Sequence, residues 1–178
     1  GIVFVLGMVV TGKVDLSAIH IGSATKAASA ASVSSSIQPV NLPASTGKST
    51  ETMSLATFSI QKFDSAKAQD AGILSVLASV ISRVDIVAIQ GVSRDGDAIK
   101  LLMEKLKASG GQFGSKVSPP VGREGDMQCF AFIWDEARIQ LTPGSVFVVQ
   151  DPTDRMHFQP MVASFETRFG AVAGRSPF

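Results

Sequence analysis

The chain has 178 residues and a formal net charge of +1, from 16 Lys and Arg against 15 Asp and Glu. Its composition, 45% hydrophobic and 17% charged, excludes a wholly disordered chain and is typical of a globular domain with a sizeable core. The near-balance of charge does not require a basic face for nucleic acid, and it leaves a local basic patch open. The single cysteine, Cys129, excludes a disulfide within the chain.

The first segment, residues 1–21, opens with the apolar run Gly1–Val10. A transmembrane helix needs about 20 apolar residues, so the run alone is too short. One interpretation is the end of a membrane anchor or signal peptide, and the other is a buried strand or short helix packed on the domain. We favour the first because a low-complexity segment follows. We also expect the chain to be a fragment, because it starts inside this run.

The second segment, residues 22–53, is rich in Ser, Ala and Thr and contains two prolines, Pro39 and Pro43. Such a composition offers few large side chains to bury, so it predicts a flexible linker. Residues 47–50 read Gly-Lys-Ser-Thr, like the end of a phosphate-binding P-loop. That loop needs a glycine at position 42, and Leu42 stands there, so the match is rejected.

The third segment, residues 54–178, alternates strand and helix patterns and then becomes a meander of strands, which predicts an α/β fold. Apolar residues at helical spacing predict one helix near residues 70–84. Asp97 is the expected cap of a second helix, which ends at Gly110. The strands are predicted at residues 54–60, 85–90, 129–134, 139–141, 145–150 and 161–165.

Two of these strand regions, Leu55–Phe63 and Val84–Val92, carry a motif. They resemble the opening of the endonuclease/exonuclease/phosphatase family, the DNase I-like metal-dependent phosphodiesterases. There the first strand ends in Phe-Asn-Ile and the second in Gln-Glu-Val or Gln-Glu-Ile. The resemblance implies the N-terminal half of a four-layer αββα sandwich, and an Asn and a Glu that help to hold a catalytic divalent metal. The matching positions here are Ser59 and Gly91.

The resemblance continues in Gln128–Asp135 and in Asp151–Phe165. Relatives carry a Glu at the position of Gln128, and in DNase-like members that Glu orients the catalytic His. They carry an Arg that faces the substrate phosphate at the position of Phe158. An amide lacks the charge that stabilises an imidazolium, and a phenyl ring cannot pair with phosphate.

These departures predict a degenerate metal site. Mg²⁺ prefers oxygen ligands that include one or two carboxylates, and Gly91 has no side chain. Ser59 keeps one oxygen, and its simplest role is a strand-end hydroxyl bonded to the backbone. The core pattern is intact while the site positions have changed, which favours a non-catalytic member that retains the fold.

Other ionisable residues have simpler interpretations. Asp85 is expected to be structural, at the start of the second strand. Arg94, Asp95 and Asp97 could lie at the mouth of the site, or form a solvated loop and a helix cap. His157 is a lone histidine without paired metal ligands, so it predicts no metal site.

We therefore expect an exported or membrane-tethered binding module, whose partner is a protein or a phosphate-bearing ligand in the former catalytic cleft. A first alternative is an active Mg²⁺-dependent phosphodiesterase or nuclease that acts on nucleic acid, with its metal shell completed by water and a missing C-terminal half. A second alternative is a structural exported domain without a ligand.

Overall fold

The computed structural model describes residues 2–6, 47–49 and 51–169, all of which belong to one compact unit. Most of the expected linker and most of the first segment lie outside the described residues. The described part is a mixed α/β domain, as predicted. The strands are β1 (Ile2–Leu6), β2 (Leu55–Phe63), β3 (Ile86–Ser93), β4 (Phe113–Val117), β5 (Gln128–Asp135), β6 (Ile139–Leu141), β7 (Phe147–Val148) and β8 (Met161–Thr167); the helices are α1 (Ser65–Gln69), α2 (Ala71–Ile81) and α3 (Asp97–Ala108).

Sheet 1 has four strands in the order β2-β3-β5-β4. β2 and β3 are parallel and are connected through the helices α1 and α2, whereas β5 runs antiparallel to both β3 and β4. The two central strands are buried on both faces. This explains why they appear in the sequence as continuous apolar runs rather than as alternating patterns.

One face of sheet 1 is covered by the helices. Helix α3 places Ile99, Leu102 and Leu106 at a spacing of three and four residues, and all three are buried against the sheet. Helix α2 is capped by Asp70, whose carboxylate accepts hydrogen bonds from the backbone N–H groups of Gly72 and Ile73. The helices and this face of the sheet form the helix-side core.

The other face of sheet 1 packs against sheet 2, in which β8 pairs with β1, β6 and β7. The rings of Phe132 and Trp134 from β5 each lie with their centroids 5.5 Å from that of Phe165 in β8. Aromatic pairs at this separation add to the burial of apolar surface. The described domain thus has three successive layers, namely helices, sheet 1 and sheet 2.

Residues 2–6 form the strand β1, which pairs antiparallel with β8 from Ile2 opposite Phe165 to Leu6 opposite Met161. A strand on the domain is one of the two interpretations of the apolar run. Among the described residues, no helix is long and apolar enough to span a membrane. A membrane or export signal in residues 1–21 stays a prediction.

Each predicted strand and helix has a counterpart, although β7 covers only Phe147–Val148 of the predicted strand 145–150. There are three further differences. Helix α3 is capped by Gly96, which has φ +69° and no side chain, and Asp97 is the first helical residue instead of the cap. The short strand β4 and the short helix α1 were not predicted. The folded part also begins before Ser54, with β1 and with an early contact of residues 47–49 against the domain.

The early contact is an ion-pair network around Asp85. The Asp85 side chain is fully buried, and its Oδ1 lies 2.6 Å from Arg138 Nε and 3.8 Å from Lys48 Nζ. Lys48 Nζ also lies 2.5 Å from Asp135 Oδ2 and donates to the carbonyl of Val84. The lysine of the P-loop-like sequence therefore has a structural role, and the expected structural role of Asp85 is confirmed.

Candidate functional site

Three of the four positions at which the family resemblance implies site residues lie at one end of sheet 1. Ser59 in β2 is paired with Gln90, which directly precedes Gly91 in β3. Gln128 begins β5 opposite Ser93, the last residue of β3. Because β5 runs antiparallel to β3, its first residue lies at the end where β3 finishes. We call this the Gly91 end of sheet 1, and it brings together Ser59, Gly91 and Gln128.

Gly91 occupies a backbone conformation that a side chain would disturb. Its φ is +77°, and the pairing of β3 shifts register around it with both β2 and β5. A Cβ atom at this position would lie 2.2 Å from the carbonyl oxygen of Ile60. Glycine is therefore required by the bulge itself, since a positive φ and a backbone clash both exclude other residues. A Gly91→Glu substitution would disturb the strand before it could offer a metal ligand.

The neighbouring strand β2 is irregular at the same level. Lys62 has φ +54°, which is uncommon for a residue with a side chain. Its pairing with β3 is interrupted between Ser59 and Phe63. The Ser59 side chain is exposed, and no hydrogen bond to its hydroxyl occurs among the described residues, so the expected bond to the backbone is not found. Irregular backbone of this kind often accompanies functional sites.

Gln128 and Phe158 are both half-buried and take part in packing. The backbone of Gln128 exchanges two hydrogen bonds with that of Val121, at 2.8 and 3.0 Å. The Phe158 ring lies 6.5 Å from the Phe130 ring in an edge-to-face arrangement, within the inter-sheet core. It also covers Gly122, where a Cβ atom would lie 2.7 Å from the ring. Phe158 thus closes the core at a position where the family resemblance implies a phosphate-binding arginine.

Two polar side-chain pairs join the loop that precedes β5 to the loop that precedes β8. His157 Nε2 lies 2.8 Å from Asp126 Oδ2, and Arg123 Nε lies 3.4 Å from Asp154 Oδ1. The His157 ring is 47% exposed. In the sequence His157 appears as a lone histidine, because its partner Asp126 is 31 residues away along the chain. The structure supplies it with an orienting carboxylate.

A cavity of about 590 Å³ opens beside the end of β3, on the helix side of sheet 1. Cys129 lies on its wall and is 2% exposed. Burial raises the pKa of the Cys129 thiol, and the Asp95 carboxylate adds to the rise. At the mouth, the hydroxyl of Ser93 and the backbone N–H of Asp97 lower the pKa of Asp95.

The side chains present do not fit a magnesium site at the Gly91 end. Ser59 and Gly91 supply no carboxylate, and Mg²⁺ in proteins is usually bound through one or two carboxylates. Within residues 2–6, 47–49 and 51–169, no group of three or more His, Cys, Asp or Glu side chains is placed to hold a metal ion.

Comparison with known proteins adds no relative: no protein-family model matches the chain, and no curated protein matches it. The class that the fold itself defines is a mixed α/β domain of helices and two packed sheets. The family resemblance rests on the motifs around Ser59, Gly91, Gln128 and Phe158.

Proposed function

We propose that this chain carries the N-terminal half of a DNase I-like αββα domain with a degenerate metal site. In this proposal it belongs to the endonuclease/exonuclease/phosphatase family by descent and acts as a non-catalytic binding module. It would be exported or tethered to a membrane through residues 1–21. Its partner would be a protein or a phosphate-bearing ligand.

The layer order supports the fold part of the proposal. Helices cover one face of sheet 1, and sheet 2 packs on the other face. This is the arrangement of three of the four layers in an αββα sandwich. The parallel pair β2–β3, joined through helices, has the strand–helix–strand order that the family motifs imply.

The bulge at Gly91 is the observation that best supports a non-catalytic domain. A catalytic member needs a carboxylate there, and the backbone at Gly91 leaves no room even for a Cβ atom, 2.2 Å from Ile60 O. The change therefore involves the course of the strand as well as the identity of one residue. A single substitution would not rebuild the ligand.

One observation favours a second candidate, an active phosphodiesterase. The pair His157–Asp126 has the geometry of a general base held by a carboxylate. In this candidate His157 Nδ1, opposite the atom that faces Asp126, would accept the proton of the attacking water. Residues beyond those described would then have to bind the metal.

The deciding experiment is hydrolysis of bis(p-nitrophenyl) phosphate and plasmid DNA with Mg²⁺ or Mn²⁺ present. We expect no turnover above the buffer rate. Turnover that chelation abolishes would refute the non-catalytic proposal. A further loss of about 100-fold or more in His157→Ala would support His157 as the general base, since a general base contributes on this scale. Arg155→Ala, a nearby exposed substitution, is the control for nonspecific effects.

A further inference from the structure

The cavity beside β3 has features of a small-molecule site. Its volume of about 590 Å³ lies within the range of ligand pockets, roughly 300–1,000 Å³. It is formed by helix α3, strands β4 and β5, and the loop that joins β3 to α3. None of the four family positions lines it. A ligand here would therefore use different residues from those of the proposed catalytic cleft.

The walls of the cavity are largely apolar. Ile99 and Cys129 are buried, and Met103 and Val117 are half-buried. All four belong to the helix-side core or pack against it, so their positions are fixed by the fold. Such walls suit a compact aromatic or aliphatic group, because burying its surface is favourable at about 25 cal/mol per Å².

The charged groups at the mouth differ in whether they are paired. Lys100 Nζ is paired with Asp97 at 2.7 Å. The Asp95 carboxylate already accepts hydrogen bonds from Ser93 and from the backbone of Asp97. Arg94 also lines the cavity, and its guanidinium has no ion-pair partner among the residues that the structure describes. The N–H donors of the Arg94 guanidinium are thus not engaged by a carboxylate of the described residues.

A second cavity nearby offers a contrast. Its volume is about 440 Å³, and it is lined by Glu104, Glu136 and Lys107 together with apolar residues. Two carboxylates against one ammonium group disfavour an anion there. An arginine without an ion-pair partner among the described residues lines the larger cavity, and no arginine lines the smaller one.

We propose that the cavity at Arg94 binds a small organic anion, with its apolar body against Ile99 and Val117 and its oxyanion group on the Arg94 guanidinium. A phosphate or a carboxylate would both satisfy this chemistry, because arginine binds either group through two parallel hydrogen bonds. The inference does not depend on family membership. It requires neither a metal nor the residues of the Gly91 end.

The first test is titration calorimetry of the whole chain with four probes. Phenyl phosphate and phenylacetate carry both the apolar body and the anion, inorganic phosphate carries the anion alone, and benzyl alcohol carries the body alone. We expect one of the two complete probes to bind at one site, at least about tenfold more tightly than either partial probe. The proposal would be overturned if inorganic phosphate bound as tightly as the better complete probe, or if neither complete probe bound. The better of the two complete probes identifies the preferred oxyanion.

Two variants locate the site. Arg94→Gln is expected to weaken binding by about tenfold or more, because it removes a charged hydrogen-bond donor. Arg155→Gln is the matched control, since Arg155 is also exposed and has no ion-pair partner in the described part of the chain. Ser115→Trp should fill the cavity and abolish binding, whereas Lys116→Trp on the next, exposed position of β4 should not. Unchanged affinity in either Arg94→Gln or Ser115→Trp would refute the proposal.

The single cysteine gives an independent readout. Cys129 lies on the cavity wall, so a bound probe should slow its reaction with a thiol-specific disulfide reagent. The half-protecting concentration should equal the dissociation constant from calorimetry. Binding without protection of Cys129 would place the probe elsewhere and overturn the proposal. The phosphodiester cleavage assay tests the proposed function separately, because it does not involve this cavity.

Discussion

Replacement of the buried carboxylate Asp85 by Asn should destabilise the domain strongly. Asp85 is fully buried and receives a bond of 2.6 Å from Arg138 Nε, with Lys48 Nζ at 3.8 Å. It also accepts bonds from the backbone N–H and the hydroxyl of Ser54, at 2.7 and 2.9 Å. Asn could keep the bonds from Ser54, but it would leave the Arg138 guanidinium without its counter-charge.

The size of the effect follows from burial. The side chains of Arg138 and Lys48 are only 14% and 16% exposed. Breaking a buried ion pair by removing one partner costs about 3–5 kcal/mol. Lys48 keeps its bond to Asp135, so we place Asp85→Asn at the lower end, about 3 kcal/mol in the free energy of unfolding. For a domain of this size the melting temperature should fall by roughly 10 °C.

The effect should also depend on pH. Burial alone would raise the pKa of Asp85, but the hydrogen bonds from Arg138 and Ser54 outweigh it and lower the pKa below its ordinary value of 3.8. A lowered pKa means that this carboxylate stabilises the fold above about pH 4, and that the contribution is lost as the pH falls further. The difference between the wild-type chain and Asp85→Asn should therefore shrink below pH 4.

The assay is urea denaturation at pH 7 and at several values below pH 4. Asp97→Asn is the control, because Asp97 and Lys100 form an exposed pair with side chains 50% and 74% accessible. Such a pair contributes less than about 1 kcal/mol. If Asp85→Asn costs no more than Asp97→Asn at pH 7, the network around Asp85 does not stabilise the domain as argued.

Three further predictions test the site and its support. Gly91→Ala should lower the free energy of unfolding, measured by urea denaturation, by at least about 2 kcal/mol and by more than Gly125→Ala does. Both glycines have a positive φ, but only at Gly91 would a Cβ atom clash with the backbone. Equal losses in the two variants would refute the steric argument. Leu102→Ala should lower the free energy of unfolding by about 3 kcal/mol, since Leu102 is fully buried. A loss below about 1 kcal/mol would contradict its core position. Lys48→Ala should release the segment before β2, so endoproteinase Glu-C should cut after Glu51 several-fold faster; unchanged cleavage would show that Lys48 does not hold it.

The central strands were predictable because their burial leaves a direct pattern in the sequence. β3 and β5 are apolar runs that are buried on both faces. β4 was missed because its residues carry no such pattern. Gly114 lies in β4 where a Cβ atom would be 2.4 Å from the Trp134 ring, so tertiary packing selects this glycine. In the sequence alone, a glycine inside a segment of only five residues argues against a strand.

The candidate site was only partly predictable for a similar reason. Sequence order placed Ser59, Gly91 and Gln128 at strand ends, and the register brings them to one end of sheet 1. The pairing of His157 with Asp126 could not be predicted, because it joins two loops from distant parts of the chain. The positive φ of Gly91 was also hidden, since a glycine in a sequence does not report whether it replaces a ligand or fits a bulge.

The network around Asp85 also determines how the domain can be held. Asp85 precedes β3 and Asp135 ends β5, so both lie at the end of sheet 1 opposite Gly91. The eight residues of β3 separate the two ends by roughly 26 Å, at about 3.3 Å per residue. A pull on the chain at Gly47 would first load the Lys48–Asp135 ion pair rather than a strand of the sheet. A load applied at Gly47 would therefore reach this end of sheet 1 before it reached the Gly91 end.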